Sequence, residues 1–391
     1  MRGAGRPFLR SRVGLLSVLL LCNTFGLGGF NPLLPEIGRA QGMANWQIGV
    51  LASAFGFARM AAAMPTGAFV ARRLGTALVA APLVLISGLL LLVSGGPFWV
   101  LVAGRLLLGV AHTLAMVGGL TAILVEERGR NASVRLNIFE FAGMLGILGG
   151  LGAVALVPPA WGWKISLLIG SSPVLIPLLL TRTMRRTFPS APMFERGVPP
   201  AERATIFRQQ SGSKSVIALM FAVGIIFALA WAGVSQFVVP IRGARDFGLS
   251  RTGISWLLAA AQSLDLLVLL PVGRLADRVG RGLVLGMVAM VLGLGAIGVG
   301  LGSFVWFAFG CICLGLALAG WMLPLGVIRE HTPMARLAWT TGLYRVGVDG
   351  ASFLGPFVCG LLGPSGETVF LTAIGVTGLA LGVRLLWRPT R

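Results

Sequence analysis

The stretch Pro271-Val-Gly-Arg-Leu-Ala-Asp-Arg-Val-Gly-Arg281 lies between two long apolar runs. A related stretch, Pro65-Thr-Gly-Ala-Phe-Val-Ala-Arg-Arg-Leu-Gly75, stands 206 residues earlier. At that offset Pro65 falls on Pro271, Gly67 on Gly273 and Arg72 on Arg278. The first copy is degraded. Ala71 takes the place of Asp277, and one extra residue precedes Gly75. A cation-rich, glycine-bearing connection that recurs at the same place in both halves of a chain marks an internal duplication. Many secondary transporters are built this way, with the substrate path between the repeats.

Working outward, apolar segments recur along the chain. Of 391 residues, 56% are apolar and 11% charged. Soluble globular chains are about one-quarter charged. With so few charges this chain cannot coat a water-facing surface, which excludes a soluble enzyme, a secreted disulfide scaffold and a disordered chain. Hydropathy and turn punctuation predict twelve membrane-length helices. They run near 13–35, 47–70, 76–95, 98–124, 134–157 and 163–183, then near 215–240, 252–272, 281–300, 304–328, 335–362 and 367–387. The polar, proline-bearing segment 184–213 reads as a linker. The expected fold is an all-α membrane protein, with a six-helix half at 1–183, a cytoplasmic linker at 184–213 and a second six-helix half at 214–391. The basic start and following apolar run mimic a signal peptide. The run has no convincing small-residue cleavage site, so it reads as a retained first helix.

The net charge is +20, from 32 basic and 12 acidic residues. A basic chain raises the question of nucleic acid. Here the basic residues sit between apolar spans, so they read as a topology signal and no nucleic-acid partner is expected. With the N-terminus placed in the cytoplasm, 24 of them fall on the cytoplasmic side and five outside: Arg39, Lys164, Arg242, Arg245 and Arg251. Arg59, Arg105 and Arg345 lie within spans. The asymmetry places both termini inside. Cys22, Cys311, Cys313 and Cys359 all lie in apolar segments without metal or redox spacing, and read as small core residues.

These features resemble the major facilitator superfamily over nearly the whole chain. The segment from Gly273 through Asp277, Arg278 and Gly280 to Arg281 is similar to that family's loop motif, in the place where the family also carries a copy. Arg105-Leu-Leu-Leu-Gly109 in the fourth span resembles a second motif, with Leu108 where glutamine is common. Gly143, Gly146, Gly149, Gly150 and Gly152 resemble the glycine-rich fifth helix of drug antiporters. The Gly-Pro pair of that motif is absent there, and Gly355-Pro356 stands instead in the eleventh span. The resemblance implies a proton-coupled transporter in a bacterial inner membrane. In the loop motif, glycines allow tight turns. Asp277 can approach a helix N-terminus while Arg278 and Arg281 remain at anionic lipid, closing the cytoplasmic side. The alternative is a compact turn with positive-inside charge.

Ionisable residues inside the membrane each cost roughly 2.5–3.5 kcal/mol on insertion scales, so each invites a functional reading. They are Arg59, Arg105, His112, Glu140, Asp265, Arg345 and Asp349. The repeat maps Arg59 onto Asp265, and an offset of 205 maps Glu140 onto Arg345. The resemblance implies that the second span faces the eleventh and the fifth faces the eighth. Arg59 would then meet Asp349, and Glu140 would approach Asp265. Arg345 and Asp349 share a helix face at i and i+4. Such a network either switches between states or pins the halves statically. Two carboxylates that approach one another cannot both ionise readily, which makes Glu140 or Asp265 the candidate proton carrier. His112 reads either as a proton relay or as a hydrogen-bonded structural histidine. Arg105 either aids proton transfer, as the resemblance implies, or is structural.

Further cavity candidates are Asn23, Thr24, Asn31, Trp231, Gln236, Gln262, Trp321 and Tyr344, since an organic substrate suits aromatic walls with a few polar groups. Tryptophans also serve as interfacial anchors. No phosphate-binding G-x-x-x-x-G-K-[ST] loop occurs, so an ion gradient rather than ATP is the expected power source. No cofactor or metal is expected with two histidines and no clustered cysteines. The expected function is proton-coupled efflux of a small organic compound by a lipid-embedded monomer. Proton-coupled uptake and a non-transporting scaffold or sensor are the alternatives.

Overall fold

The computed structural model describes residues 11–126, 132–188 and 214–387. Most of the expected linker 184–213 and the arginines at 2, 6 and 10 lie outside the described residues. Within them the regular structure is helical, in ten helices long and apolar enough to cross a membrane. They are α1 (Arg12–Ala40), α2 (Asn45–Ser94), α3 (Phe98–Glu126), α4 (Ala132–Leu156), α5 (Pro159–Leu179), α6 (Lys214–Asp246), α7 (Arg251–Val279), α8 (Arg281–Gly300), α9 (Phe304–His331) and α10 (Met334–Trp387).

Two of these helices are double length. At 50 residues α2 would run about 75 Å, against a hydrocarbon core of about 30 Å. Its helical backbone is broken at Arg73 (φ −145°, ψ 57°). In α10, 54 residues long, the break is Gly363 (φ 67°, ψ −173°), directly before Pro364. Gly363 is required there, because side-chain-bearing residues rarely adopt positive φ. Each break leaves a membrane-length segment on either side, so the ten helices supply the twelve expected spans.

Other boundaries depart from expectation where proline intervenes. The expected sixth span, 163–183, is instead α5, interrupted by a 3-10 turn at Ser172–Val174 and followed by a short helix, Thr181–Thr187. Pro173 and Pro177 remove amide donors inside this stretch. Likewise α1 runs on to Ala40, but through a 3-10 turn at Asn31–Leu33 where Pro32 intervenes.

The described residues form two compact units. One is drawn from Met1–Met43, Phe57–Glu195 and Ser250–Trp256, the other from Ala44–Gly56, Arg196–Leu249 and Leu257–Arg391. In the first unit Leu16, Leu19 and Leu20 of α1 pack with Leu74 and Leu78 of α2, Leu114 of α3 and Phe139 of α4. Association without a hydrophobic drive from lipid depends on close approach of backbones through small residues. The glycine-rich α4 provides this against α1. Thr24 Oγ1 donates to the Gly143 carbonyl at 2.8 Å, and a Cβ on Gly146 or Gly150 would collide with the carbonyl of Leu21 or Phe25. In the second unit α8 meets α10 through Gly293 and Gly375, while Gly355 of α10 lies against Gly233 and the Leu229 carbonyl of α6. All four cysteines are buried free thiols.

Candidate functional site

In the first unit the fourth-span motif is built around Arg105, 2% exposed on α3. Its guanidinium lies over the Phe30 ring, 3.9 Å from the centroid, and donates from Nη2 to Asn31 Oδ1 at 3.4 Å. Asn31 stands where Pro32 interrupts α1, so the interruption in the helix presents its amide to α3. Gly109 is buried one turn further along α3, and its carbonyl accepts from Thr113 Oγ1. His112, two turns beyond Arg105, is half-buried. Asn23 is 1% exposed on α1, and neither of its amide atoms has a hydrogen-bond partner among the described residues. Arg59 and Glu140 belong to this unit and are half-buried.

In the second unit Asp265 is 3% exposed on α7. Gln262, one turn earlier, donates from Nε2 to Asp265 Oδ2 at 2.9 Å. The other oxygen, Oδ1, is buried with no hydrogen-bond partner among the described residues. Gln262, expected as a cavity wall, is therefore the group that holds the aspartate. On α10, Arg345 and Asp349, one turn apart on the same helix face, lie Nε to Oδ2 at 3.9 Å, with the Asp349 side chain buried.

The aromatic candidates divide by environment. Tyr344 is buried, edge-on to Phe221 at 5.4 Å, with its ring against Gly224. Trp231 is half-buried on α6, and its carbonyl accepts from Ser235 Oγ. Gln236 lies in a π-helical turn, Val234–Val238, with its Oε1 buried and unpartnered among the described residues. Such turns widen the helix locally and occur often at functional sites. Trp321 is half-buried in the turn that interrupts α9.

In the loop motif only one glycine makes a turn. Gly280 adopts φ 102° between α7 and α8. Gly273 sits inside α7 with open space around it, so the turn expected there does not form. The same holds for the earlier copy, where the break falls on Arg73 rather than on Gly75. Asp277 is largely exposed and lies 3.9 Å from Arg281. Arg281 also pairs with Glu330 at the end of α9 at 2.8 Å, tying α8 to α9, while Arg278 is exposed.

Sequence reasoning missed the partners of the arginines assigned to the outer side. Arg242 donates to the carbonyls of Val299 at 2.6 Å and Leu301 at 3.0 Å, and to Asp246 at 2.9 Å. Arg245 pairs with Asp246 at 2.7 Å and with Glu367 at 3.2 Å. Glu367 is 1% exposed. The Arg242–Asp246 spacing of i, i+4 was a readable signal. Glu367, 122 residues from Arg245, carried none. Breaking a buried ion pair costs about 3–5 kcal/mol. Arg245 is about one-third exposed, so screening reduces this to roughly 1–2 kcal/mol. Glu367→Gln is therefore expected to lower the apparent Tm in detergent by a few degrees, and an unchanged melting curve would show that the pair contributes nothing.

The comparisons with known proteins agree with this architecture. The family model for the Major Facilitator Superfamily matches residues 220–391. Over 289 residues the chain is 25% identical to the MFS-type transporter YcaD of Escherichia fergusonii, covering 72% of this chain and 71% of that one. The YcaD protein of Escherichia coli O7:K1 is 26% identical over the same length and coverage. Among solved structures, a POT family transporter in complex with 5-aminolevulinic acid superposes with a TM-score of 0.76 at 14% identity, covering 96% of this chain and 95% of that one. The nucleoside transporter NupG superposes with a TM-score of 0.67 at 15% identity, covering 96% and 98%. Residues 220–391 thus match the Major Facilitator Superfamily model and the chain is similar to MFS-type transporters along most of its length, which makes it a multi-pass membrane transporter rather than an enzyme.

Proposed function

We propose that the protein is a secondary active transporter that exports a small organic compound in exchange for protons. It works by alternating access of two six-helix halves, residues 1–183 and 214–391, joined by the linker 184–213. The observation that carries the proton coupling is Asp265, a carboxylate deep in α7 with one oxygen held by Gln262 and the other buried without a hydrogen-bond partner among the described residues. A group that binds and releases a proton in each cycle needs an oxygen not already committed to a fixed donor. The ionisable residues Arg59, Glu140, Arg345 and Asp349 form the rest of the coupling network in this reading. Proton-coupled uptake uses the same residues with the opposite direction of net flux. The retained insertion cost of these charges argues against a scaffold that transports nothing.

The substrate side of the reading rests on Arg105 with Asn31, on Asn23, whose buried amide has no partner among the described residues, and on Gln236, whose buried Oε1 has none among them. The relatives of similar fold are transporters of small molecules, among them a peptide-family transporter and a nucleoside transporter. The 24-to-5 distribution of basic residues supports cytoplasmic termini, and in this reading the protein acts as a monomer in a bacterial inner membrane. The test is reconstitution in liposomes under an imposed pH gradient, with flux of candidate amino-acid-like, nucleoside-like and peptide-like compounds read together with internal pH. Export coupled to protons gives substrate movement against the proton flow with matching pH change. Flux that is indifferent to the gradient would overturn the coupling.

A further inference from the structure

The repeat offset of 206 also pairs the first residues of two helices, Asn45 of α2 and Arg251 of α7. The same offset relates the segments that begin at Ala44 and Ser250, which the compact units separate from the rest of their helices. Ala44–Gly56 clusters with the second unit, and Ser250–Trp256 with the first. Duplicated helix starts thus dock in equivalent ways but with different chemistry.

At Asn45 the contact is close and nearly neutral. Asn45 Nδ2 donates to the Gly360 carbonyl at 2.9 Å. Gly49 packs on Gly360, where a Cβ would come within 2.6 Å of the opposing Cα, and Gly56 packs on the backbone of Phe353. At Arg251 the contact is charged. Its side chain is wholly buried, pairs with Glu36 of α1 at 3.4 Å and donates to Ser166 Oγ of α5 and to the Val157 carbonyl at the end of α4. Thr252 Oγ1 adds a bond to the Ala155 carbonyl at 3.2 Å. One guanidinium therefore gathers three helices.

The charged contact is also incompletely satisfied. Arg251 Nε and Ser255 Oγ, one turn along, are buried without hydrogen-bond partners among the described residues. Water would satisfy both on release. Glu36 is partly exposed, so solvent and salt reach one end of the ion pair. The glycine contact has no comparable polar deficit and gains from backbone packing that only an intact fit provides.

We propose that Arg251 is a positioning residue that acts as a releasable latch. It holds the first two turns of α7 onto Glu36, Ser166 and the Val157 carbonyl, and lets go more readily than the glycine-sealed start of α2. Its place in a transport cycle rests on the alternating-access reading above. The latch itself is measured without substrate or gradient, so each can fail without the other.

The measurement is thiol labelling of the full-length protein in nanodiscs. Ser255→Cys reports on α7, and Ser53→Cys, at a position 1% exposed in the docked part of α2, reports on the glycine contact. The four native cysteines are buried and give the background. Ser255→Cys is expected to label slowly, about tenfold faster when combined with Arg251→Gln, and severalfold faster with Glu36→Gln, the milder change that keeps the test open if Arg251→Gln does not fold. Ser53→Cys is expected to stay protected throughout. Unchanged labelling of Ser255→Cys in both combinations would overturn the proposal, as would equal opening of Ser53→Cys, which would mean general loosening instead of a latch.

Discussion

Asp265→Asn is expected to bring pH-driven flux down to the liposome background while the protein still purifies in folded form. Asparagine keeps the size of the side chain and an oxygen that can accept from Gln262 Nε2, so the local packing around α7 has no reason to fail. What it loses is the capacity to bind and release a proton. Positioned acid–base groups contribute roughly 100-fold or more to the steps they serve. Coupled flux should therefore fall by at least that factor. Exchange of substrate across the membrane with no net proton movement should persist, because it does not require the carboxylate to change state. That split separates a proton carrier from a merely structural aspartate, whose loss would depress both modes together. Asp265→Glu tests geometry. The longer arm displaces the carboxylate from Gln262, and partial coupled flux is the expected result. Full pH-driven flux in Asp265→Asn would remove Asp265 from the coupling path and leave Glu140 as the carboxylate to examine next.

The sequence made Asp265 visible because a charge inside an apolar run has a large insertion cost and must be explained. Its partner was less visible. Gln262 lies one turn away, but an amide in a span reads equally as a wall of a cavity. Only the geometry shows it bonded to the aspartate. Apolar runs made the spans legible, and Gly363-Pro364 announced one of the two internal breaks. The other break falls on Arg73, a residue with no turn signature, beside a glycine that the repeat made more conspicuous. The reading that the motif's glycines allow tight turns applied to Gly273 and Gly280 alike. Backbone conformation does not follow sequence similarity: of Gly75, Gly273 and Gly280, Gly280 alone has positive φ. The π-helical turn around Gln236 is a change of hydrogen-bond register with no local composition to mark it. The acidic partners Glu36 and Glu367 were passed over for another reason. Their arginines lie 215 and 122 residues away, and only tertiary packing brings such pairs together.

The glycines of α4 offer a sharper contrast within a single run. Gly150→Ala is expected to prevent α1 and α4 from closing, because the new methyl group would overlap the Phe25 carbonyl, a backbone atom that cannot rotate away. Gly28→Ala should do the same from the opposite helix, against the Ile147 carbonyl. Overpacking a well-fitted contact costs typically 1–3 kcal/mol when side chains can adjust. Here two helix backbones would have to separate, and the Thr24–Gly143 hydrogen bond would stretch with them. The cost should exceed about 3 kcal/mol, the top of that range, and appear as loss of monodisperse protein or a large fall in apparent Tm. Gly152→Ala is the matched control. It belongs to the same glycine-rich run, yet no atom lies within 4 Å of its added Cβ, so its melting curve should stay close to that of the parent. Gly143→Ala falls between the two, since its neighbour is the flexible end of Leu20. If all four variants behaved alike, the glycines would be acting through helix propensity or lipid exposure, and the close α1–α4 contact would not be what holds the first unit together. A graded outcome, with Gly150 and Gly28 severe, Gly143 mild and Gly152 silent, follows only if backbone proximity sets the requirement.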